Sequence, residues 1–216
     1  MNDTLKAARL DFYLIKSYTK SLLFTIAFPV VLAALNKSLI NGISFAVCFI
    51  GVTAGYAFTI SEKNGMERLY GILPILKKHM VIGRYLYTCT MGLLTLAISL
   101  IVQPIVLYLL GLAVSSADII IAAVTSIILF SLYTVFLLPV YYKFGSIKGR
   151  FFIFLPVTGY LAVLLLTSKT DFESSPVLSS DISHPFVLLI CAVFICIIAF
   201  LLSVFVSIRI FENKEV

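Results

Sequence analysis

Ser61-Glu62-Lys63-Asn64-Gly65-Met66-Glu67-Arg68-Leu69-Tyr70-Gly71-Ile72-Leu73-Pro74 is a short charged stretch between two long apolar runs, residues 39–60 and 85–112. Met66, Leu69, Tyr70 and Leu73 recur at i, i+3, i+4 and i+7, the spacing of one apolar helix face. Glu62, Lys63, Glu67 and Arg68 fill the other faces. Pro74 closes the pattern, because proline cannot continue a helix without losing a backbone hydrogen bond. The stretch predicts a small amphipathic helix, residues 61–74, held where two membrane spans emerge. Such a helix is what a membrane subunit needs to receive force from a soluble partner.

The sequence on either side is almost wholly apolar. Of the 216 residues, 61% are hydrophobic and 12% charged, against about 45–50% and about 25% in a soluble domain. A spanning helix needs about 20 apolar residues. Six runs are long enough: 21–36, 39–60, 85–112, 119–141, 151–166 and 185–208. The third carries Gln103-Pro104, which predicts a kink. The predicted fold is therefore an all-α integral membrane domain over residues 1–216. It has six transmembrane helices, cytoplasmic termini, an interfacial helix over 1–20 and the inner helix over 61–74.

Lysine and arginine placement orients it. With the N-terminus inside, every one of the 16 cations except Lys37 and Lys169 falls on the inner side, the bias expected of cytoplasmic loops. The net charge of +6 is thus a membrane-topology signal, and nucleic acid is not an expected partner. Around residues 2–20, Lys6, Arg9, Lys16 and Lys20 share one arc of a helix, with Leu5, Ala8, Phe12 and Ile15 beside it. Two readings stand here: a helix lying in the membrane plane, or a basic flank with accidental periodicity. Cys48, Cys89, Cys191 and Cys196 all fall within predicted spans at no metal or disulfide spacing, and read as small apolar residues. No signal peptide is expected before the first span. His184 reads as an ordinary loop residue. The inner run Pro139–Arg150 reads as a basic turn in which Gly145 and Gly149 permit a tight reversal.

Some chemistry is missing. No ionisable residue lies deep within the six runs, whereas pumps, ion-coupled transporters and voltage sensors keep such residues for function. Softer polar groups remain, and these more often mediate helix packing. Thr53, Ser99, Gln103 and Thr134 are the candidates for lining a mildly polar path, Gln103 foremost. No H-E-x-x-H, G-x-S-x-G or G-x-x-x-x-G-K-[ST] pattern occurs. The chain reads as neither an enzyme nor a metal protein, and if ATP drives it, another chain binds the nucleotide.

The run from Ser61 through Glu67-Arg68-Leu69 to Leu73-Pro74, then Lys77 and Gly83-Arg84-Tyr85, resembles the loop after the second span in ABC-2 type transporter permeases of the small six-span kind. Leu138-Pro139-Val140-Tyr141-Tyr142-Lys143-Phe144-Gly145 with Lys148-Gly149-Arg150 resembles their loop between spans four and five. The tail from Ser207 to Glu215 resembles their terminus. The resemblance implies a half-transporter in a cell membrane, of bacterial type. It would pair with a second permease subunit, in a homodimer or heterodimer, and dock a soluble ATP-binding cassette ATPase that holds ATP and magnesium. Residues 61–74 would be the coupling helix, with Met66, Leu69, Tyr70 and Leu73 as apolar grip, at about 1.5–3 kcal/mol each. Glu62, Glu67 and Arg68 would form its polar rim. Gly65 and Gly71 weaken the helix by about 1 kcal/mol each relative to alanine. The implied cargo is an amphipathic, antimicrobial or cytolytic peptide, or a lipophilic compound, moved outward. The competing reading is a non-transporting scaffold or sensor that recruits a cytoplasmic partner through the same helix.

Overall fold

Glycines and small polar residues cut this apolar chain into helices. In the computed structural model, residues 3–16, 19–66, 76–154, 158, 161–162, 165 and 185–213 are described. Helix α1 is Asp3–Lys16, α2 Thr19–Asn36 and α3 Leu39–Lys63. Helix α4 is Lys77–Leu109, α5 Ser116–Gly149 and α6 Pro185–Glu212, and a 3-10 turn, Arg150–Ile153, follows α5. No strand occurs among the described residues.

Each break has a local cause. Lys37 takes the left-handed conformation, φ 49°, between α2 and α3. Helix α4 ends in a Schellman motif. The Leu112 and Gly111 amides donate to the carbonyls of Leu107 and Tyr108 at 3.1 and 3.0 Å, and Gly111 supplies φ 77°, the geometry that satisfies the last carbonyls of a helix. Helix α5 opens with the Ser115 amide donating to Asp118 Oδ2 at 3.0 Å, the reaching-back half of a capping box. Helix α3 stops where the Asn64 amide donates to Ile60 O and Gly65 turns left-handed at φ 60°.

Helices 39–63, 77–109, 118–149 and 194–212 are long and apolar enough to cross a membrane, while Ala27–Asn36 is a shorter apolar helix. Half of the predicted fifth span, 151–166, lies outside the described residues. Several predicted boundaries move, two of them by eight residues. The third span begins at Lys77 rather than 85, because Lys77, Lys78 and Arg84 are good helix formers and nothing between them and Tyr85 stops the helix. It then runs unbroken through Pro104. The fourth helix passes 141 and reaches Gly149, with one non-helical residue, Gly145 (φ 75°, ψ −178°).

Helix α3 is central. It packs on α5, α2 and α4, while α6 covers α5 and α1 lies on α4. From Arg84 on, one buried stripe runs the length of α4, Arg84, Thr88, Gly92, Thr95, Ser99, Gln103 and Leu107, and near its start Val81, Gly83, Tyr85 and Tyr87 are buried as well. Leu93, Leu94, Ile98, Ile101 and Ile105 of the same helix are exposed. Polar and small groups therefore face inward and aliphatic groups outward, as suits a helix whose solvent is hydrocarbon. Two buried clusters result. One, at the end rich in lysine and arginine (hereafter the basic end), includes the aromatics Phe58, Tyr85, Tyr141 and Tyr142. The other, at the far end, is aliphatic and includes Leu39, Ile43, Val47 and Leu107.

Candidate coupling site

The stretch that opens the sequence divides in two. Ser61, Glu62 and Lys63 are the last turn of α3, Gly65 breaks it, and Met66 after it is helical and half-buried. Glu67, Arg68, Leu69, Tyr70 and Leu73 lie outside the described residues. What the structure defines is the frame on which that segment is mounted, α3 before it and α4 after it.

Glu62 is not simply a rim residue. Its Oε1 accepts the Ser146 amide N–H at 2.6 Å, and its Oε2 accepts the Ser146 hydroxyl. The α3 end is thereby tied to the end of α5 just past Gly145, 84 residues on. Gly145 makes the contact possible. Its φ and ψ lie in a region that is essentially glycine-only, and a Cβ there would stand 2.7 Å from Glu62 Oε1. Beyond it the chain doubles back: a Cβ on Gly149 would lie 2.6 Å from Tyr141 Cδ1, although a straight helix would separate residues eight apart by about 12 Å. The reversal read from Gly145 and Gly149 is present, and Gly145 makes it.

Arg84 holds the other side of the frame. Its Nε donates to Asp11 Oδ2 at 3.2 Å, and Nη2 donates to Asp11 Oδ1 at 3.1 Å and to Ser61 Oγ at 3.0 Å. Its guanidinium carbon stands 4.3 Å above the Phe58 ring. Both charged side chains are buried, 9% and 5% exposed. The guanidinium thus makes a bidentate pair with the carboxylate, a further bond to a hydroxyl, and a cation–π contact with an aromatic face. Removing one partner of such a pair costs about 3–5 kcal/mol, because the other charge stays buried alone. Gly83 lets α1 approach this closely: a Cβ there would meet the Thr4 carbonyl oxygen at 2.9 Å and the Ala8 nitrogen at 3.0 Å. Helix α1 is thus docked on the bundle by Asp11, while the exposed Asp3 carboxyl is held below its usual range by the Lys6 ammonium that bonds it at 3.1 Å.

A neutral chain completes the basic end. Ser203 Oγ donates to the Val135 carbonyl at 2.9 Å. Having spent its one hydrogen, it accepts from the Tyr85 hydroxyl at 2.7 Å, and Tyr85 in turn accepts from Ser207 at 2.8 Å. Helices α4, α5 and α6 are joined through it. Phe58 stacks on Tyr141 at 5.1 Å and meets the edge of Tyr142 at 4.9 Å.

The predicted path residues lie deeper. Ser99 and Gln103 share the buried stripe of α4 with Thr95. Thr134, on α5, is buried and spends its hydroxyl on its own helix, at the Phe130 and Ser131 carbonyls. The side chain of Thr53 lies outside the described ones. Gln103 is fully buried, and neither polar atom of its amide has a partner among the described residues. It is tightly enclosed: a Cβ on Gly42 would lie 2.5 Å from Gln103 Oε1 and 2.4 Å from Ala33 Cβ. Helices α2, α3 and α4 therefore touch at that point.

The residue that sequence reasoning missed is Asp11, and with it the role of Arg84. The signal to be had was a lone carboxylate in the middle of a basic, apolar helix, and an arginine directly after a glycine at a span's start. Among the described residues no cluster of side chains suits a metal ion. Residues 9–212 match a family described as ABC-2 family transporter protein. No curated protein and no solved structure is similar enough to this chain to match it.

Proposed function

The chain belongs to the ABC-2 transporter family, as a multi-pass membrane subunit that is not itself catalytic, and we propose that it is the permease half of an ATP-driven exporter. Its family works with an ATPase subunit. The basic end faces the cytoplasm of a bacterial cell, where residues 66–74 seat in a groove of an ATP-binding cassette ATPase carrying ATP and magnesium. A second permease subunit, identical or related, completes the path. The cargo is an amphipathic peptide or a lipophilic compound.

The observation that carries this reading is the position of the charged ties. Glu62 fastens the residue before the segment to the end of α5 just past Gly145, and Arg84, soon after it, fastens α4 to α1 and α3. A push on 66–74 is therefore delivered to several helices at once. Farther from the segment, the enclosed polar stripe of Thr95, Ser99 and Gln103 becomes path lining when the helices part. With no charged residue in that part of the stripe, it suits a cargo that brings its own apolar face.

The test is co-purification from native membranes in mild detergent, with ATPase activity read on the isolated complex. Wild type brings down an ATP-binding cassette subunit, and Leu69→Asp with Tyr70→Asp loses it. If no ATPase associates, or the variant retains it, the scaffold reading takes its place. Cells lacking the gene become more sensitive to amphipathic peptides or lipophilic drugs; unchanged sensitivity to every such compound sinks the cargo assignment.

A further inference from the structure

Helix α1 and the start of α4 enclose a groove of about 380 Å³ on the outer surface of the basic end. Leu5, Ala8 and Phe12 form one wall, Leu86 and Thr90 the other, and Arg9 stands with them. Leu5 and Phe12 are half exposed, so the wall is apolar surface open to the surroundings. From Leu5 to Phe12 the groove follows α1 for about 10 Å, enough for the upper part of an acyl chain.

The charge balance points to the occupant. Helix α1 has two carboxylates, and both are spoken for: Asp3 by Lys6 at 3.1 Å, and Asp11 by Arg84. Arg9 is left without a carboxylate partner among the described residues. Its guanidinium carbon lies 6.0 Å from the Tyr13 ring centroid, a distance at which that contact is weak. An apolar groove with a cation on its wall that no carboxylate neutralises, on a helix beside the start of a membrane span, calls for a ligand with an apolar tail and an anionic head. We propose that this groove binds one anionic phospholipid, its acyl chain between Phe12 and Leu86 and its phosphate on Arg9. The ligand is a resident lipid, and its assignment does not depend on what the permease moves.

The chain contains no tryptophan, which gives a direct test. Phe12→Trp places a single fluorophore on the groove wall, and Leu109→Trp, at the exposed far end of α4, is the reference. Each protein is reconstituted in vesicles of equal parts phosphatidylglycerol and phosphatidylcholine, with either one or the other carrying a dibrominated, quenching acyl chain. A single cation near the membrane surface favours anionic lipid about fivefold. Emission from the indole at position 12 is therefore quenched with about fivefold preference for phosphatidylglycerol. Adding Arg9→Gln lowers that preference to about one, Arg9→Lys retains most of it, and the reference position shows none. Equal quenching by the two lipids at position 12, a preference that survives Arg9→Gln, or no quenching by either lipid because a protein covers the groove, would each overturn the assignment.

Discussion

The two ends of the bundle are held together by different means. At the basic end, helices distant in sequence are joined by charged or directed bonds: Arg84 to Asp11 and Ser61, Glu62 to Ser146, Tyr85 to Ser203 and Ser207. The buried side chains between them mix aromatics, Phe58, Tyr85, Tyr141 and Tyr142, with Val81, Leu137 and Leu138. At the far end the buried cluster is aliphatic, helices meet through Ala33 and Gly42, and the buried polar atoms of Ser44 and Gln103 have no partner among the described residues. Among the described residues, one end is fastened by directed side-chain bonds between distant helices, and the other is held chiefly by close packing. In a bilayer, where lipid is as apolar as leucine, fitting alone rests on close van der Waals contact. A load applied at the fastened end is carried as a unit, and the fitted end is where helices separate first.

Five substitutions put that contrast to the test. Arg84→Met should have the largest effect, lowering stability in detergent by about 3–5 kcal/mol because Asp11 is left charged and buried. Pairing it with Asp11→Leu should recover most of the loss; an equal loss in the double variant would show that the ion pair is not what joins α1 to α4. Gly42→Ala tests the fitted end. The new methyl overlaps Ala33 and Gln103, so about 1–3 kcal/mol should be lost, read as a lower unfolding temperature. Glu62→Gln retains the shape and removes the charge. It should cost about 1 kcal/mol, and the discriminating readout is faster proteolysis or cysteine labelling at 145–149, with the far end unchanged. Gln103→Leu should be neutral or stabilising by up to about 1 kcal/mol, since it removes a buried amide that has nothing to bond, while transport, if Gln103 lines the path, falls. A destabilised Gln103→Leu protein would show that the amide has a partner and that the far end, too, is fastened.

Much of the architecture was legible because a membrane imposes it. Apolar length set the spans, and the structure adds helices at 39–63, 77–109 and 118–149 where runs at 39–60, 85–112 and 119–141 were expected. Where boundaries moved outward, at Lys63, Lys77 and Gly149, the added residues include Lys77, Lys78 and Lys143, which end an apolar run without giving a helix any cause to stop. The helix near the N-terminus was legible from its periodicity, but its partner was not. Asp11 and Arg84 are 73 residues apart, and no local pattern joins them. Glu62 was expected at the rim of a partner's groove, and its contact with Ser146 was not legible, because that contact depends on a backbone conformation at Gly145 that one glycine in a basic turn does not announce. Gln103 was legible as an oddity, a long amide beside a proline in an apolar run, and the structure gives it the burial that makes it one.

The Asp11–Arg84 pair also bears on how the chain is threaded. Helices α2 and α3 lie between its two members in sequence. The pair closes only if α1 and the start of α4 end up on the same side of the bilayer, which requires an even number of crossings between them. On the predicted six-span topology, in which both helices cross, a chain that inserts one and omits the other leaves an arginine and an aspartate on opposite faces, each without its counter-charge. The bond that docks α1 would then act as a parity check on insertion, made before the last span has been laid down.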